Sequence, residues 1–377
     1  MKKGIIMVLC QYEDMSKSLN KNLHKASQAK KDEFYTQLVD IEKELKHYKV
    51  QFHSKVVYCN CDDPFESNFF KYFASNFNEL GLKKLIATSF SGSPITGRQL
   101  SLLEIEGVKN EKKKEPLKIE VTEVPDRDKN GAINIDDVKE LLKHCKKSVT
   151  PLKDGGDFRS DECVELLKQA DIICTNPPFS LFREYVDQLV EYGKKFLIIG
   201  NLNAITYKEI FKLIKENKLW LGITMDGRNK WFRVPDSYPI NENVANFKIE
   251  NREKYLFVKG CLWFTNIDNK KRHEKLDLYR KYTPKEYPKY DNYDAIEVSR
   301  VLEIPADYNG AIGVPITFLN KYNPEQFKIM GLLADKREKS GALIQGTPTY
   351  LDEQHKKYVG AIINGRATYA RIIIKAK

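Results

Sequence analysis

The chain has 377 residues, 41% of them hydrophobic, which is enough for a sizeable core and excludes a disordered or collagen-like polypeptide. Lys and Arg outnumber Asp and Glu by 63 to 52, a formal net charge of +11; the surplus suits a polyanionic partner, and it equally suits a lysine-rich composition without one. Seven cysteines are scattered with no Cys-x-x-Cys pair, and six histidines show no His-Glu-x-x-His spacing. This argues against a disulfide scaffold or a catalytic metal, and for reduced thiols in a cytoplasmic protein.

Ile5 to Cys10 is an apolar run after two lysines, too short for a signal-peptide core and without a cleavage site. No stretch approaches the roughly 20 apolar residues of a membrane span. Residues 1–30 read as a basic arm (Lys17, Lys21, Lys25, Lys30) that either lies on phosphate or is simply a chain end. Thr36 to Lys49 is predicted to be a helix with Leu38, Ile41, Leu45 and Tyr48 on one face.

A strand (Lys55 to Cys59) then leads through the turn Cys61-Asp62-Asp63-Pro64-Phe65-Glu66 to a helix (Phe69 to Leu80). Ser67 or Asn68 caps that helix, Gly81 stops it, and Lys84 to Thr88 is the next strand. Such a unit belongs in a doubly wound, mostly parallel sheet, whose ligands sit at the carboxyl ends of the strands. Residues from about 92 to 150 read as a charged surface insertion, with a predicted helix over Asn134 to Lys147. The α/β rhythm resumes with helix Asp161 to Gln169, strand Asp171 to Thr175, helix Leu181 to Tyr192 and strand Lys195 to Ile199. Helix Tyr207 to Asn217 and strand Leu219 to Thr224 complete it. After Met225 the composition shifts to Tyr, Asn, Pro and Lys, with short strand-like pieces such as Tyr255 to Val258 and Arg371 to Ile374. The expected organisation is the arm over 1–30, an α/β catalytic domain over 31–225, and a loop-rich C-terminal region over 226–377.

The most informative run is Asp171-Ile172-Ile173-Cys174-Thr175-Asn176-Pro177-Pro178-Phe179, an apolar strand that delivers Asn-Pro-Pro-Phe to its carboxyl end. The prolines fix φ and stiffen the turn, so a carbonyl can face a substrate. The Asn176 side-chain oxygen and the Pro177 carbonyl can each accept one hydrogen of a planar amino group, such as the N6 of adenine. That geometry draws the nitrogen lone pair out of conjugation and aims it at a methyl sulfonium. Phe179 would stack on the base, which must leave the duplex at a cost of about a few kcal/mol. An ordinary strand-to-helix turn would use the same residues, but the apolar strand, the aromatic fourth residue and the α/β frame together favour methyl transfer.

Three further segments fit one cofactor site, and each alone is equally a turn or core. They are Asp63-Pro64-Phe65 after the first strand, Asp157-Phe158 behind Gly155-Gly156, and Asp32-Glu33-Phe34-Tyr35-Thr36 upstream. Asp157 can accept from an adenine amino group of the cofactor, with Phe158 against the ring.

With these residues in hand, the chain resembles the EcoRI-type adenine-specific DNA methyltransferases. The resemblance runs almost end to end, through Lys31-Asp32-Glu33-Phe34-Tyr35-Thr36-Gln37, Val56 to Pro64, Ser67 to Phe73, Gly156 to Ser160 and Thr175 to Tyr185. It continues in Leu262-Trp263-Phe264-Thr265-Asn266, Pro288 to Ile296 and Gly313 to Leu319, and fails between about Gly92 and Thr150. It implies a Rossmann-like methyltransferase fold and S-adenosyl-L-methionine as methyl donor. It also implies base flipping in double-stranded DNA and a cognate restriction endonuclease encoded alongside. Asn176, Pro177, Pro178 and Phe179 match the catalytic tetrapeptide; Tyr35, Thr36, Asp62, Asp63, Pro64, Asp157 and Phe158 match segments bordering the cofactor.

The chain departs from the broader methyltransferase pattern at two places. Ser67 and Phe69 replace the glycines that usually follow Asp-Pro-Phe, and the second strand ends Thr88-Ser89 where an acidic residue commonly holds the ribose. Arg228, Lys230, Arg233, Lys270, Lys271 and Arg272 are candidates for DNA contact, or a solvated basic face. Trp263 and Phe264 are either pocket or core. A monomer is expected. Competing readings are an Asn-Pro-Pro methyltransferase acting on RNA or on a protein glutamine, and an inactive DNA-binding scaffold.

Overall fold

A computed structural model of the chain describes residues 36–61, 67–90, 116–125, 149–224, 230–234, 247–334, 350–351, 357–358 and 360–377. These fall into two compact units. One comprises 36–41, Phe52–Tyr185 and Trp231–Phe257; the other comprises Glu42–Gln51, Val186–Lys230 and Val258–Lys377.

The helix predicted over Thr36 to Lys49 is two helices, α1 (Leu38–Leu45) and α2 (Lys49–Phe52). Ile41, Leu45 and Tyr48 are buried, as their spacing demands. The break falls where the Tyr48 N–H closes a tight turn onto the Leu45 carbonyl at 2.9 Å. Strand β1 (Val56–Cys59) is buried at every position, as a strand covered on both faces must be. Helix α3 (Asn68–Ser75) begins at Ser67, whose hydroxyl accepts from the Phe69 and Phe70 N–H groups at 3.1 and 3.4 Å. It ends short of the predicted Leu80, where the Asn76 side chain donates to the Tyr72 carbonyl at 2.8 Å. Gly81, at φ +60°, completes the turn.

Next come β2 (Lys84–Thr88), β3 (Leu117–Val121) and β4 (Val149–Pro151). Helix α4 (Asp161–Gln169) follows, capped by Ser160 on the Cys163 N–H at 3.4 Å. Asp161 and Glu162 lie in its first turn, where the helix dipole favours negative charge. Strand β5 (Ile172–Thr175) is again buried throughout and leads to α5 (Phe182–Glu191). Then follow β6 (Lys195–Asn201), the strongly amphipathic α6 (Lys208–Lys215) and β7 (Trp220–Leu221).

In the first unit the strand order is β4-β3-β2-β1-β5. Strand β1 runs parallel to β2 and β5, whereas β2–β3 and β3–β4 are antiparallel. The mostly parallel sheet expected from the sequence is therefore a mixed one. Parallel pairing needs a crossover, which α3 supplies between β1 and β2. Part of the stretch read as a surface insertion, Leu117–Val121 and Val149–Pro151, belongs to this sheet. The helix predicted over Asn134 to Lys147 lies outside the described residues. The same unit holds β8 (Lys230–Val234), β9 (Phe247–Glu250) and β10 (Glu253–Val258), ordered β8-β10-β9.

In the second unit β11 (Cys261–Thr265) runs antiparallel to both β6 and β7. Trp263 and Phe264 are fully buried in this strand and form core. The C-terminal stretch has long irregular segments, and it also has a sheet that its composition did not disclose. Strands β12 (Ile296–Glu297), β13 (Ile312–Pro315), β14 (Phe327–Leu333) and Arg371–Ala376 pair in the order β12, β13, Arg371–Ala376, β14. Their core includes Tyr290, Ala295, Leu333, Ala361 and Ile373. Buried Glu297 takes the Tyr290 hydroxyl and the Arg371 guanidinium (Nη2 at 2.8 Å).

The strand predicted over Leu219 to Thr224 stops at Leu221, because the next backbone groups are drawn to a buried carboxylate. Glu44, 0% exposed, accepts from the Ile223 N–H at 2.8 Å, the Thr224 N–H at 2.7 Å, the Thr224 hydroxyl at 2.6 Å and the Tyr48 hydroxyl at 3.0 Å. A side chain on Gly222 would collide with it, the added Cβ standing 2.4 Å from Glu44 Oε1. Replacing Glu44 by Ala leaves four donors unmatched, the Tyr48 hydroxyl buried and the three at Ile223 and Thr224 partly buried. Glu44→Ala is expected to cost roughly 3–5 kcal/mol in urea unfolding; a loss below about 1 kcal/mol would show that water or another acceptor substitutes.

Candidate active site

The site is built on the level ends of two parallel strands. Asp171 sets the register at the amino ends of β1 and β5: its carboxylate accepts from the Val56 N–H at 2.8 Å, and its own N–H bonds the Val56 carbonyl at 2.9 Å. Val57 then pairs with Ile172 and Tyr58 with Ile173. Two residues further on, Asn60 and Thr175 meet at the carboxyl ends, where the Thr175 hydroxyl donates to the Asn60 carbonyl. Asn60 is 1% exposed, and its side-chain oxygen accepts from the Tyr185 hydroxyl. Cys61 follows at φ +63°, turning the chain away from the strand.

Beyond Thr175, Asn176 is 7% exposed and Pro177 and Pro178 are buried. Phe179 is half-buried and opens a 3-10 turn, Phe179–Leu181, closed by the Leu181 N–H on the Pro178 carbonyl at 3.0 Å. The turn runs straight into α5. The tetrapeptide thus sits where a strand meets a helix start, with the asparagine and both prolines shielded from water and the aromatic ring partly open.

The Asp157-Phe158 loop belongs to the same unit. Gly155 and Gly156 both adopt positive φ, +75° and +72°. A Cβ on Gly156 would lie 2.0 Å from the Ser89 carbonyl oxygen, so only glycine lets this loop press on the end of β2. The Ser89 hydroxyl accepts the Leu117 N–H at 2.9 Å, and Thr88 pairs with the Tyr58 hydroxyl at 2.9 Å. The strand end that lacks the usual acidic residue is therefore taken up by structural contacts.

Phe158 is 5% exposed, with its ring edge-to-face against Tyr185 at 5.1 Å. Asp157 faces Arg159, which donates to it from Nε at 2.9 Å, Nη2 at 2.7 Å and the backbone N–H at 2.9 Å. The same guanidinium reaches Glu184 at 3.2 Å and lies 5.2 Å over the Phe158 ring. Burial works to raise the Asp157 pKa, but the hydrogen bonds and charge of Arg159 outweigh it and hold the carboxyl below its ordinary value.

Thr36 is 3% exposed, and its carbonyl accepts from the Asn68 side chain at 2.7 Å, at the start of α3. The Thr36 hydroxyl is buried with no hydrogen-bond partner among the described residues. Tyr35, Asp62, Asp63, Pro64 and Arg228 lie outside the described residues.

The structure brings Asp157, Phe158 and Asn176 to Phe179 into one neighbourhood through three residues that sequence reasoning passed over. Asn60 touches the strand that carries the tetrapeptide, and Tyr185 links Asn60 to Phe158. Arg159 ties Asp157 to α5 through Glu184. Phe182, Tyr185, Val186 and Leu189 form one stripe of α5 and all four are buried; no spacing along the chain signals the partner of the Tyr185 hydroxyl.

The basic candidates divide. Lys230 is half-buried at the start of β8, and in the first unit Arg233 is paired with Glu253 at 3.3 Å. In the second, Lys271 donates to the Ile223 carbonyl at 3.0 Å. Arg272 packs over Trp220, 3.7 Å from the ring centre, and donates to Asn217 at 2.9 Å. Burial lowers the pKa of this arginine. Lys270 is exposed. Among the described residues no group of three or more His, Cys, Asp or Glu side chains is placed to hold a metal ion, and no helix is long and apolar enough to cross a membrane.

Comparison with known proteins places this geometry in a family. The profile described as adenine-specific methyltransferase EcoRI matches residues 22–377. The type II methyltransferase M.EcoRI of Escherichia coli is 47% identical over 361 residues, covering 95% of this chain and 97% of that protein. M.MgeORF184P of Mycoplasma genitalium is 36% identical over 357 residues, covering 94% and 98%, and M.MpnI of Mycoplasma pneumoniae is 36% identical over 359 residues, again covering 94% and 98%. No solved structure matches the chain significantly. With the family profile spanning nearly the whole sequence and a buried Asn-Pro-Pro run at the carboxyl end of β5, the chain belongs to the EcoRI family of adenine-specific methyltransferases.

Proposed function

We propose that the protein is a site-specific DNA methyltransferase that moves a methyl group from S-adenosyl-L-methionine to the N6 of an adenine flipped out of duplex DNA. Its biological role is protection of host DNA from a cognate restriction endonuclease, the protein acting as a cytoplasmic monomer. The observation that carries the reading is the shielded Asn176-Pro177-Pro178 run at the carboxyl end of β5, in a chain of an adenine-specific family.

Asn176 Oδ1 and the Pro177 carbonyl are the two acceptors for the two hydrogens of the amino group. Water exclusion strengthens both bonds, and the stiff proline backbone holds the acceptors in place before the base arrives. Phe179 takes the face of the extruded adenine and offsets part of the cost of unstacking it. The methyl donor arrives already activated, so the protein's share is positioning and electrostatics. Thr36, Asp157 and Phe158, with Tyr35, Asp62, Asp63 and Pro64, would hold that donor. The Thr36 hydroxyl is a buried polar group with no hydrogen-bond partner among the described residues, and Asp157 Oδ2 keeps a lone pair beyond those that Arg159 engages. The fit of donor to loop rests on these groups and on the Phe158 ring.

We assign target recognition to the region 226–377 and DNA contacts to Arg228, Lys230, Arg233, Lys270, Lys271 and Arg272. The internal partners of Arg233 and Arg272 make them costlier to recruit than exposed Lys270.

Three outcomes are expected. Long-read kinetic sequencing of DNA from a methylation-free host expressing the protein should reveal N6-methyladenine at one short motif, absent with Asn176→Ala. An unmodified genome from a folded protein would redirect the search to RNA or a protein glutamine. Phe179→Ala should abolish most of the fluorescence gain of an adenine analogue at the mapped target; an unaltered gain counts against stacking.

The third concerns pH. Asp157 titrates below its ordinary value of 3.8, so its pairing with Arg159 is intact above that value and is lost only as pH falls through the lower folded value. Donor affinity should therefore stay flat between about pH 8 and pH 5. Arg159→Gln leaves burial unopposed and lifts Asp157, so affinity should fall several-fold toward pH 5. Identical pH profiles for the two proteins in calorimetric titration would rule the pairing out as a determinant.

A further inference from the structure

We propose that Tyr185 is a positioning residue for methyl transfer, acting through Asn60 and Phe158. The inference rests on the reading of Asn176 to Phe179 as the catalytic loop. Tyr185 is fully buried and stands one turn into α5, the helix that the tetrapeptide itself begins. Its hydroxyl donates to the Asn60 side chain, and its ring edge meets Phe158 at 5.1 Å. Asn60 in turn receives the Thr175 hydroxyl on its carbonyl, and Thr175 is the residue immediately before Asn176.

One phenol therefore touches both halves of the proposed site. On one side it reaches Asn60 at the end of β1, whose carbonyl holds the Thr175 hydroxyl just before the amino-group acceptors. On the other it reaches the ring assigned to the methyl donor. A tyrosine chosen for packing would need no polar partner, and phenylalanine would fill the same volume. The hydroxyl is matched instead to a side chain that is 1% exposed and sits between the ends of β1 and β5. Buried polar pairs of this kind fix one arrangement of their surroundings, because breaking one leaves its partner unmatched in a medium with no water to replace it. The distance between a methyl sulfonium and an amino nitrogen is the quantity such a brace would set. Misplacement of about 1 Å costs on the order of 100-fold in rate.

The test uses the full chain in four forms, wild type, Tyr185→Phe, Asn60→Ala and the double variant, with Asn176→Ala alongside. Turnover of a duplex carrying the mapped target is normalised to the folded fraction found by circular dichroism, and Kd for donor and duplex is measured separately. Tyr185→Phe is expected to lower kcat per folded molecule by about 10- to 100-fold while duplex affinity stays within about threefold. Asn60→Ala should lower kcat similarly, and the double variant should be no worse than either single one, because both remove one linkage. The inference is overturned if Tyr185→Phe keeps its kcat within about threefold. It is equally overturned if the loss merely follows the folded fraction, or if the two single effects multiply. An Asn176→Ala protein that still turns over removes the catalytic-loop reading and this inference with it. An inactive Asn176→Ala beside a fully active Tyr185→Phe removes the inference alone.

Discussion

The register of β5 against β1 is the constraint on which the candidate site depends. A shift of one residue between parallel strands would turn every side chain to the opposite face and separate Asn60 from Thr175. Asp171 prevents this at the amino end, with both its carboxylate and its amide engaged on Val56. The Thr175 hydroxyl closes the carboxyl end on Asn60. Between these ties the two strands are apolar and wholly buried, so hydrophobic burial supplies stability and the polar groups supply alignment. Asn176 is thereby delivered at one height relative to the loop that follows β1.

The second unit uses a buried acid in a related way. Glu44 gathers two backbone amides and two hydroxyls, with no cation on it among the described residues, and it ends β7 by drawing the chain out of the ladder. Glu297 instead meets a guanidinium, on the sheet that includes Arg371. The two carboxylates lie on different elements and solve the same problem, that of fixing a chain path where apolar packing alone leaves choices open.

Much of the first unit was legible in the sequence because its signals are local. The apolar runs Val56–Cys59 and Ile172–Thr175 and the Ser67 cap each depend on neighbours a few residues away. Helix α4 occupies the predicted span, and Asn176 to Phe179 stand at the end of the predicted strand. The failures were long-range. Strands β3 and β4 were read as an insertion, since Lys118 and Glu120 look like surface until β2 and β3 are paired. The pairing of Asn60 with Tyr185 spans 125 positions, and no periodicity encodes it. Of the C-terminal sheet only Arg371 to Ile374 was read as strand-like; its partners Ile296–Glu297, Ile312–Pro315 and Phe327–Leu333 are set among irregular segments rich in Tyr and Pro.

The closeness of Asn176 and Tyr185 along the chain has a consequence for inheritance. The tetrapeptide, the 3-10 turn and the first turn of α5 form one uninterrupted segment, and the partners it grips, Asn60 and Phe158, arrive from two separate places. Recombination between related genes would move that segment whole, carrying the loop and its brace together. A hybrid would keep the brace only where the incoming tyrosine met an acceptor at position 60. Exchange across this point would therefore be permissive where the incoming tyrosine meets both Asn60 and Phe158, so the segment's transplantability depends on two residues outside it.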